Sequence, residues 1–342
     1  MLIGETISLC VALSWTATAL FAEVGSKRMG SLPFNAIRMT MSLIMFLVVI
    51  WLLMGVPYPR YADTGTWVWL ILSGIVGYVI GDYCLMQGYI FIGSRFGQLF
   101  MTLSAPTAAI FGYLLIGEVL KPLAIIGMVV TLSGISMSIL SRGDNSPKQH
   151  HSHMKPADDD TPRHHNINLS LPKRGIFYAA MAGICQGAGL VLSKIGMTHY
   201  HLALECQGIS DQITPDGALI PIPLCFSVPF AATMIRAIIG MAGFMVLLLF
   251  FTHDGKAKLQ SALKDRKAMR CVLGSMLFGP FIGVSLSLLA TQYTSTGIAQ
   301  TLFALTPVLI IAPAAWLFHQ KVTIRETIGA VVSVAGACLF FI

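Results

Sequence analysis

Long runs of hydrophobic residues, separated by short polar breaks, recur along the whole of this 342-residue chain. A run of about 18 or more apolar residues is long enough to cross the hydrocarbon core of a bilayer as a helix. The pattern therefore predicts an all-α polytopic membrane protein with ten transmembrane helices. Their expected positions are about 3–24, 33–55, 66–90, 95–117, 119–141, 174–198, 228–251, 269–292, 297–319 and 323–342.

One arrangement of residues occurs twice, once in each half of the chain. Each copy is an apolar run with one proline, followed by a polar break and an apolar run with two glycines seven residues apart. The same features in the same order, at nearly the same spacing, predict an internal repeat. They are Pro106, Gly127 and Gly134 in the first copy, and Pro307, Gly329 and Gly336 in the second.

The repeat predicts the domain organisation. We expect a first five-helix repeat over 1–141, a polar linker over 142–173, and a second repeat over 174–342 with an insertion at 199–227. An odd number of spans in each repeat makes the second repeat enter the membrane upside down, as an inverted pair. In that topology, 17 Lys and Arg residues lie on one side and two on the other, with three inside spans. The positive-inside rule then places the linker in the cytoplasm and both termini outside.

Composition narrows the class of protein and adds two polar segments. With 55% hydrophobic and 11% charged residues and a mean hydropathy of +0.75, a soluble protein is excluded. The net charge of +7 is assigned to cytoplasmic loops rather than to nucleic-acid binding. The linker 142–173 holds five of the nine histidines, and its polarity predicts a disordered tether in preference to a metal site. In the insertion, Cys206 and Cys225 are candidates for a disulfide, with free thiols as the alternative.

Charged side chains within the predicted spans are the first candidates for function, because each costs roughly 2.5–3.5 kcal/mol to insert unless it is paired or hydrated. Asp82 is the deepest acid. It either takes up a proton or contacts substrate, or it forms a permanent ion pair with Arg38 that holds two helices together. Arg38 and Arg236 either bind an anionic substrate group through bidentate hydrogen bonds, close a gate, or reach towards lipid headgroups. Lys194 and Glu23 are expected to reach the membrane surface.

Uncharged polar and aromatic residues within the spans are candidates for a substrate cavity. Gln98 and Gln300 begin the two proline spans at comparable positions. A proline removes one backbone hydrogen bond, so Pro106 and Pro307 are expected to act as hinges or to shape the cavity. Packing between helices or against lipid is the alternative for each side chain. The candidates are Trp15, Tyr78, Tyr83, Gln87, Gln98, Gln186, Tyr293 and Gln300.

Taken together, these residues resemble a known family. The chain has two five-helix repeats, each with a proline in its fourth span and a pair of glycines in its fifth, and it also has Ser14-Trp15 and Arg38. This arrangement is similar to the EamA-type branch of the drug/metabolite transporter superfamily. The resemblance covers nearly the whole chain apart from 142–173 and 199–227. It implies a ten-helix secondary transporter related to exporters of small metabolites, amino acids among them, and to carriers of sugar nucleotides and triose phosphates.

The chain departs from the family pattern at three points. His319-Gln320 replaces the usual Gly-Glu exit in the second repeat. Glu23 occupies a position where the family commonly has lysine. Family members are often described with cytoplasmic termini, whereas the Lys and Arg distribution here favours termini outside.

The expected function is secondary transport, with export of small metabolites such as amino acids by alternating access, with or without proton coupling. We expect a small-molecule substrate, a bilayer of the bacterial inner membrane as the environment, and no nucleic acid; the oligomeric state stays open. Alternatives are a nucleotide-sugar or divalent-cation transporter and, from another class, a membrane-embedded lipid-modifying enzyme. The sequence lacks Gly-x-Ser-x-Gly, P-loop and HExxH motifs, so no catalytic residue, cofactor or metal site is expected.

Overall fold

The computed structural model describes residues 2–140, 172–206, 224–252, 254–309 and 324–339, and within these ranges all regular secondary structure is helical. The first half contains α1 (Leu2–Met29), α2 (Ser31–Met54), α3 (Thr64–Ser73), the π-helix π1 (Gly74–Asp82), α4 (Tyr83–Met101), α5 (Ser104–Ile116) and α6 (Pro122–Leu140). The second half contains α7 (Lys173–Cys206), α8 (Leu224–Phe250), α9 (Gly255–Lys264), α10 (Arg266–Met276), the π-helix π2 (Leu277–Val284), α11 (Ser285–Tyr293), α12 (Thr296–Phe303), α13 (Thr306–Leu309) and α14 (Ile324–Cys338).

Six continuous helices in the described part of the chain are long and apolar enough to cross a membrane. They correspond to the first three and the sixth to eighth predicted spans. Shorter apolar helices stand at the fourth, fifth and ninth predicted spans, and α14 has 15 described residues at the tenth. The count of ten crossings therefore stays a prediction. The six long helices are Ile3–Met29, Ser31–Met54, Thr64–Ser94, Lys173–Cys206, Ser227–Phe250 and Arg266–Tyr293.

The helix of the sixth predicted span extends past the predicted end at residue 198, because α7 continues as one helix to Cys206; the insertion at 199–227 stays a prediction. The stretch from 199 to 206 contains neither glycine nor proline, so nothing in it interrupts a helix. Tyr200 and Leu204, one helical turn apart, are both buried in the core. His199, His201 and Glu205 are therefore helical residues.

Both halves contain a π-helical stretch in the middle of their third long helix. The stretches π1 and π2 include the glycine pairs Gly77/Gly81 and Gly279/Gly283. A π-helical turn widens the helix and interrupts its regular hydrogen-bond ladder, and such turns are frequent at functional sites. Because both wide segments lie in the middle of their helices, they indicate a functional site in the middle of the bundle.

Both proline helices are broken shortly before the proline. The first is interrupted between Met101 and Ser104, ahead of Pro106, and the second between Phe303 and Thr306, ahead of Pro307. At each break a backbone N–H bonds three residues back, from Leu103 to Phe100 O and from Leu305 to Leu302 O, both at 3.1 Å. The missing proline N–H favours such an interruption. A hinge at each break stays a prediction.

The helices α6 and α14 cross at two glycines in equivalent positions. A Cβ added at Gly336 would lie 2.5 Å from the Thr131 backbone nitrogen, and one added at Gly134 would overlap the Ser333 backbone nitrogen. The backbones can approach this closely only because neither residue has a side chain. This explains why the glycines recur in both halves.

Apolar side chains cover the outside of the bundle, and many polar side chains lie inside it. Leu52 is 69% exposed and Phe250 is 80% exposed. Several buried hydroxyls bond to the carbonyl one turn earlier, as from Thr233 to Pro229 O at 2.7 Å. This distribution suits a lipid environment, where backbone and side-chain polar groups must find partners within the protein.

Candidate functional site

A small cavity lies in the middle of the bundle, between helices of both halves. The space open to the centres of water molecules is about 50 Å³, and because one water needs about 10–15 Å³ of such space, the cavity holds only a few water molecules. Sites for small-molecule ligands usually span roughly 300–1,000 Å³, so this conformation holds the cavity contracted. Six of the predicted candidates line it: Trp15, Arg38, Tyr78, Asp82, Gln98 and Gln186.

An ion pair between Arg38 on α2 and Asp82 at the end of π1 stands at this cavity. The Arg38 Nη2 group donates to Asp82 Oδ2, and Asn35 Nδ2 donates to the Asp82 backbone oxygen at 3.3 Å. Both charged residues are buried. Arg38 also lies over the Phe34 ring, with 5.7 Å between Cζ and the ring centroid. Of the two alternatives for Asp82, the ion pair is present in this conformation.

Arg236 on α8 approaches the same π-helix from another side. Its Cζ lies 4.6 Å from the centroid of the Tyr78 ring, a cation–π contact. Its Nη2 occupies the space beside Gly77, where an added Cβ would come within 2.8 Å. Arg236 is buried and stands behind Tyr78 rather than at the cavity wall. The two arginines that the sequence paired therefore both contact π1.

The two glutamines at the start of the proline spans occupy different places. Gln98 lines the cavity, and its Nε2 donates to the Tyr89 hydroxyl at 2.6 Å. Gln300 is buried away from the cavity wall, and its Oε1 accepts from Ser104 Oγ at 3.1 Å. This second bond links the two broken helices, because Ser104 begins α5 and Gln300 lies on α12.

Three further candidates lie outside the cavity lining. Tyr83 packs edge-on against Tyr178 of α7, with the ring centroids 6.1 Å apart. Its hydroxyl accepts from Gln87 Nε2 at 3.2 Å. The wide turn of π1 ends at Asp82, and Tyr83 is directed from there towards α7. Tyr293 is 41% exposed at the end of α11.

A polar cluster, here named the Glu118 junction, joins three helices at one end of the bundle. The Glu118 carboxylate accepts from Lys194 Nζ at 2.6 Å, from Thr296 Oγ1 at 2.6 Å and from the Thr296 backbone N–H at 2.9 Å. Lys194 also donates to the Thr294 backbone oxygen at 3.2 Å. Lys194 ties α7 to the exit of α5 and the start of α12, and its position at the membrane surface stays a prediction. An adjoining pocket has a volume of about 490 Å³.

A second cluster, here named the Glu23 junction, lies at the opposite end of α1. The Glu23 carboxylate accepts from the Ser94 backbone N–H at 3.1 Å and from the Ser94 hydroxyl, and it pairs with Lys27 at 2.6 Å. The chain turns beside it at Gly93, whose φ of 78° favours glycine. Glu23 and Lys194 thus each bind the polar turn that leads into a proline span.

Sequence reasoning missed several of the residues at these sites. Glu5 is buried in the first turn of α1 and accepts from Thr294 Oγ1 at 3.1 Å. An acidic residue so near the beginning of a span usually lies at the membrane surface, so the sequence gave no sign that Glu5 would be buried. Tyr89 follows Asp82 by seven residues, two helical turns, and that spacing does place both on one face. Glu118 was not among the candidates taken from the sequence.

Among the described residues, no group of three or more His, Cys, Asp or Glu side chains could hold a metal ion. His201 Nε2 lies 2.9 Å from Gln292 Nε2 instead. Cys206 is exposed and forms no disulfide with another described cysteine, and the Cys225 side chain lies outside the described part of the chain, so the disulfide stays a prediction. The five histidines of the polar linker also lie outside it.

Comparison with known proteins gives one family and one fold. The model of the EamA-like transporter family matches residues 2–140 and 218–342. A solved protein crystal structure, 15% identical, has a TM-score of 0.61 and matches over 98% of this chain and 96% of that chain. At that identity the likeness concerns the fold alone. No curated protein sequence matches this chain.

Proposed function

Because this chain belongs to the EamA-like transporter family, within the drug/metabolite transporter superfamily, we propose that it exports small metabolites such as amino acids. Members of this family are transporters, and the chain is an integral multi-pass membrane protein. The observation that carries the proposal is the buried Arg38–Asp82 pair at a cavity between the two halves. Charged residues inside a membrane bundle mark substrate or ion pathways by default. The bacterial inner membrane is the proposed location.

Alternating access is the proposed mechanism. The cavity must expand from about 50 Å³ before it can hold a metabolite, so the bundle has to open. The two proline helices supply the hinges, because each is already broken. The first break lies near Gln98, which lines the cavity, and the second lies near Gln300, which bonds to Ser104. Two five-helix repeats of inverted topology would then rock about the central site.

The two junctions are proposed to close the opposite ends of the pathway. At the Glu118 junction, one carboxylate holds α5, α7 and α12 together through charge-assisted bonds. At the Glu23 junction, a carboxylate of α1 holds the turn that leads into the first proline span. When either end opens, these hydrogen bonds are exchanged for hydrogen bonds to water. The net free-energy difference of such an exchange is small, so each end can open and close.

Asp82 is proposed as the group through which protons drive export. In the present conformation its charge is held by Arg38. Protonation of Asp82 would release the guanidinium, and this couples a proton to the arrangement of α2 and π1. Proton entry on one side and exit on the other would then bias the alternation between states.

The alternatives differ in the chemistry that they need at the centre. A divalent-cation carrier needs several oxygen ligands, whereas the described centre has two arginines and one carboxylate. A nucleotide-sugar carrier stays the nearer alternative, because arginines bind phosphate groups well. A lipid-modifying enzyme would need a nucleophile or an acid pair at one membrane face.

The test is transport by purified protein in proteoliposomes. Counterflow with an amino-acid panel, with and without an imposed pH gradient, is compared for the wild type and Asp82→Asn. Gradient-driven flux that disappears in Asp82→Asn while exchange persists supports the proposal. The control is Glu205→Gln, which removes an exposed acid of α7. Absence of flux for every panel member, with folded protein, would overturn the amino-acid assignment and move the test to sugar nucleotides.

A further inference from the structure

The buried centre of the bundle carries more positive than negative charge. Three charged side chains meet at π1: Arg38, Arg236 and Asp82. Arg38 is 3% and Arg236 2% exposed. Arginine keeps its proton in proteins, so with Asp82 ionised the described centre has one positive charge in excess. An excess buried charge is costly unless a charge of opposite sign joins it.

The same centre has more hydrogen-bond donors than acceptors. The Nε groups of Arg38 and Arg236, the Tyr78 hydroxyl and one acceptor, Asn35 Oδ1, are buried without a hydrogen-bond partner among the described residues. Buried polar groups in native proteins are almost always paired, with protein, water or ligand. Two of these groups belong to residues that line the cavity, Arg38 and Tyr78. A ligand that supplies acceptors and negative charge would satisfy them.

Asp82 engages only part of the Arg38 guanidinium. Its Oδ2 takes one hydrogen bond, from Nη2, and leaves the Nε–H of Arg38 unpaired. A planar guanidinium presents five donors and binds carboxylate or phosphate groups through two of them at once. An anionic ligand at the cavity would therefore share or compete for Arg38 with Asp82, and Arg236 would add attraction from behind Tyr78.

We infer that the central site recognises its substrate by an anionic group and that the preferred substrate carries a net charge of −1. This rests on the proposed transport function and narrows its substrate class. A neutral zwitterion leaves the excess charge of the centre uncompensated, whereas an acidic amino acid or another monoanion cancels it. Carboxylate and phosphate share this chemistry, so both belong in the test.

The experiment measures ligand binding to the wild-type protein in nanodiscs, at constant ionic strength. Ligands come in matched pairs that differ by one charge but hardly in shape: glutamate and glutamine, aspartate and asparagine, and dimethyl phosphate and trimethyl phosphate. We expect the anion of at least one pair to bind about ten-fold or more tightly than its neutral partner. The pair that responds tells carboxylate from phosphate. Equal binding within every pair, or no binding of any anion, overturns the inference.

Variants test which residues are responsible. Arg236→Gln makes the centre neutral, and it should abolish the preference for the anion while Arg236→Lys retains part of it. Asp82→Asn removes the competing carboxylate and should tighten anion binding. The control is Arg60→Gln, because Arg60 also lies over a tyrosine ring, at 5.6 Å from Tyr61, but on the exposed surface. Anion preference unchanged in Arg236→Gln would overturn the role of Arg236.

Counterflow measured with the same protein in proteoliposomes distinguishes a failure of this inference from a failure of the proposed function. If monoanions bind selectively but no ligand is transported, transport fails and the anion site stands. If only neutral or cationic metabolites are transported, the anion site fails and transport stands.

Discussion

Asp82→Asn leaves the Arg38 guanidinium as a buried charge without its carboxylate. Arg38 is 3% exposed and the Asp82 side chain 12% exposed, so water screens the pair little. Breaking a buried ion pair by removing one partner costs about 3–5 kcal/mol. We therefore expect Asp82→Asn to lower the free energy of unfolding by about that amount, and Arg38→Gln to do the same.

The double variant carries the sharper expectation. With both charges gone, the centre keeps the net charge of the wild type, that of Arg236, and the neutral pair can still share a hydrogen bond. The loss in the double variant should therefore be no greater than in either single variant, which corresponds to a coupling energy of at least about 3 kcal/mol. The loss of one ordinary hydrogen bond would give only about 1 kcal/mol.

Equilibrium unfolding by SDS in mixed micelles, followed by tryptophan fluorescence, gives the four free energies of the cycle. Glu205→Gln serves as the control, since substitution of an exposed residue should change stability by less than about 0.5 kcal/mol. Single-variant losses below about 1 kcal/mol that simply add in the double variant would refute a buried pair that stabilises this conformation.

Three further predictions concern other parts of the bundle. Glu118→Gln weakens the bonds from Lys194 and Thr296 by about 1–2 kcal/mol. In a protein that also carries Ser295→Cys, the introduced cysteine should then react with a soluble maleimide about five-fold or more faster. An unchanged rate would argue against a closed end at the Glu118 junction. Gly134→Leu forces α6 away from α14, so thermal stability and flux should both fall, whereas Val129→Leu on the exposed side of α6 should leave both intact. The Asp265 carboxylate begins α10 and pairs with Arg28, and this guanidinium holds the pKa of Asp265 below its usual range. Above the unfolded pKa of about 4 this depressed pKa stabilises the folded state, and the stabilisation is lost as the pH falls through the folded pKa. Asp265→Asn should therefore flatten the acidic part of the curve of stability against pH. An unchanged curve in the variant would contradict the prediction.

The periodic features were readable from the sequence because the bilayer imposes them. Apolar length alone located the six long helices, since a helix in lipid must satisfy its own backbone and present apolar side chains. The recurrent prolines and glycines also had local consequences. The helix breaks before Pro106 and Pro307 and the close crossing at Gly134 and Gly336 follow from a missing N–H and a missing side chain.

The boundaries and the partners of the polar residues were not readable in this way. The sequence analysis ended the sixth span at residue 198, yet α7 runs on to Cys206 because burial of Tyr200 and Leu204 prolongs it. Nothing in the sequence indicated that Lys194 would pair with Glu118, 76 positions away. Whether Asp82 meets Arg38, and whether Arg236 reaches the same π-helix, depends on how three separate helices pack.

The sequence by itself thus determined a helical membrane protein with a recurring pattern and a short set of candidate polar residues. The tertiary structure decided which of them share the centre and which tie the ends together. The physical reason is that hydropathy and backbone geometry act over one or a few helical turns, whereas an ion pair joins residues far apart in the chain. Its partners are selected only when the whole bundle has packed.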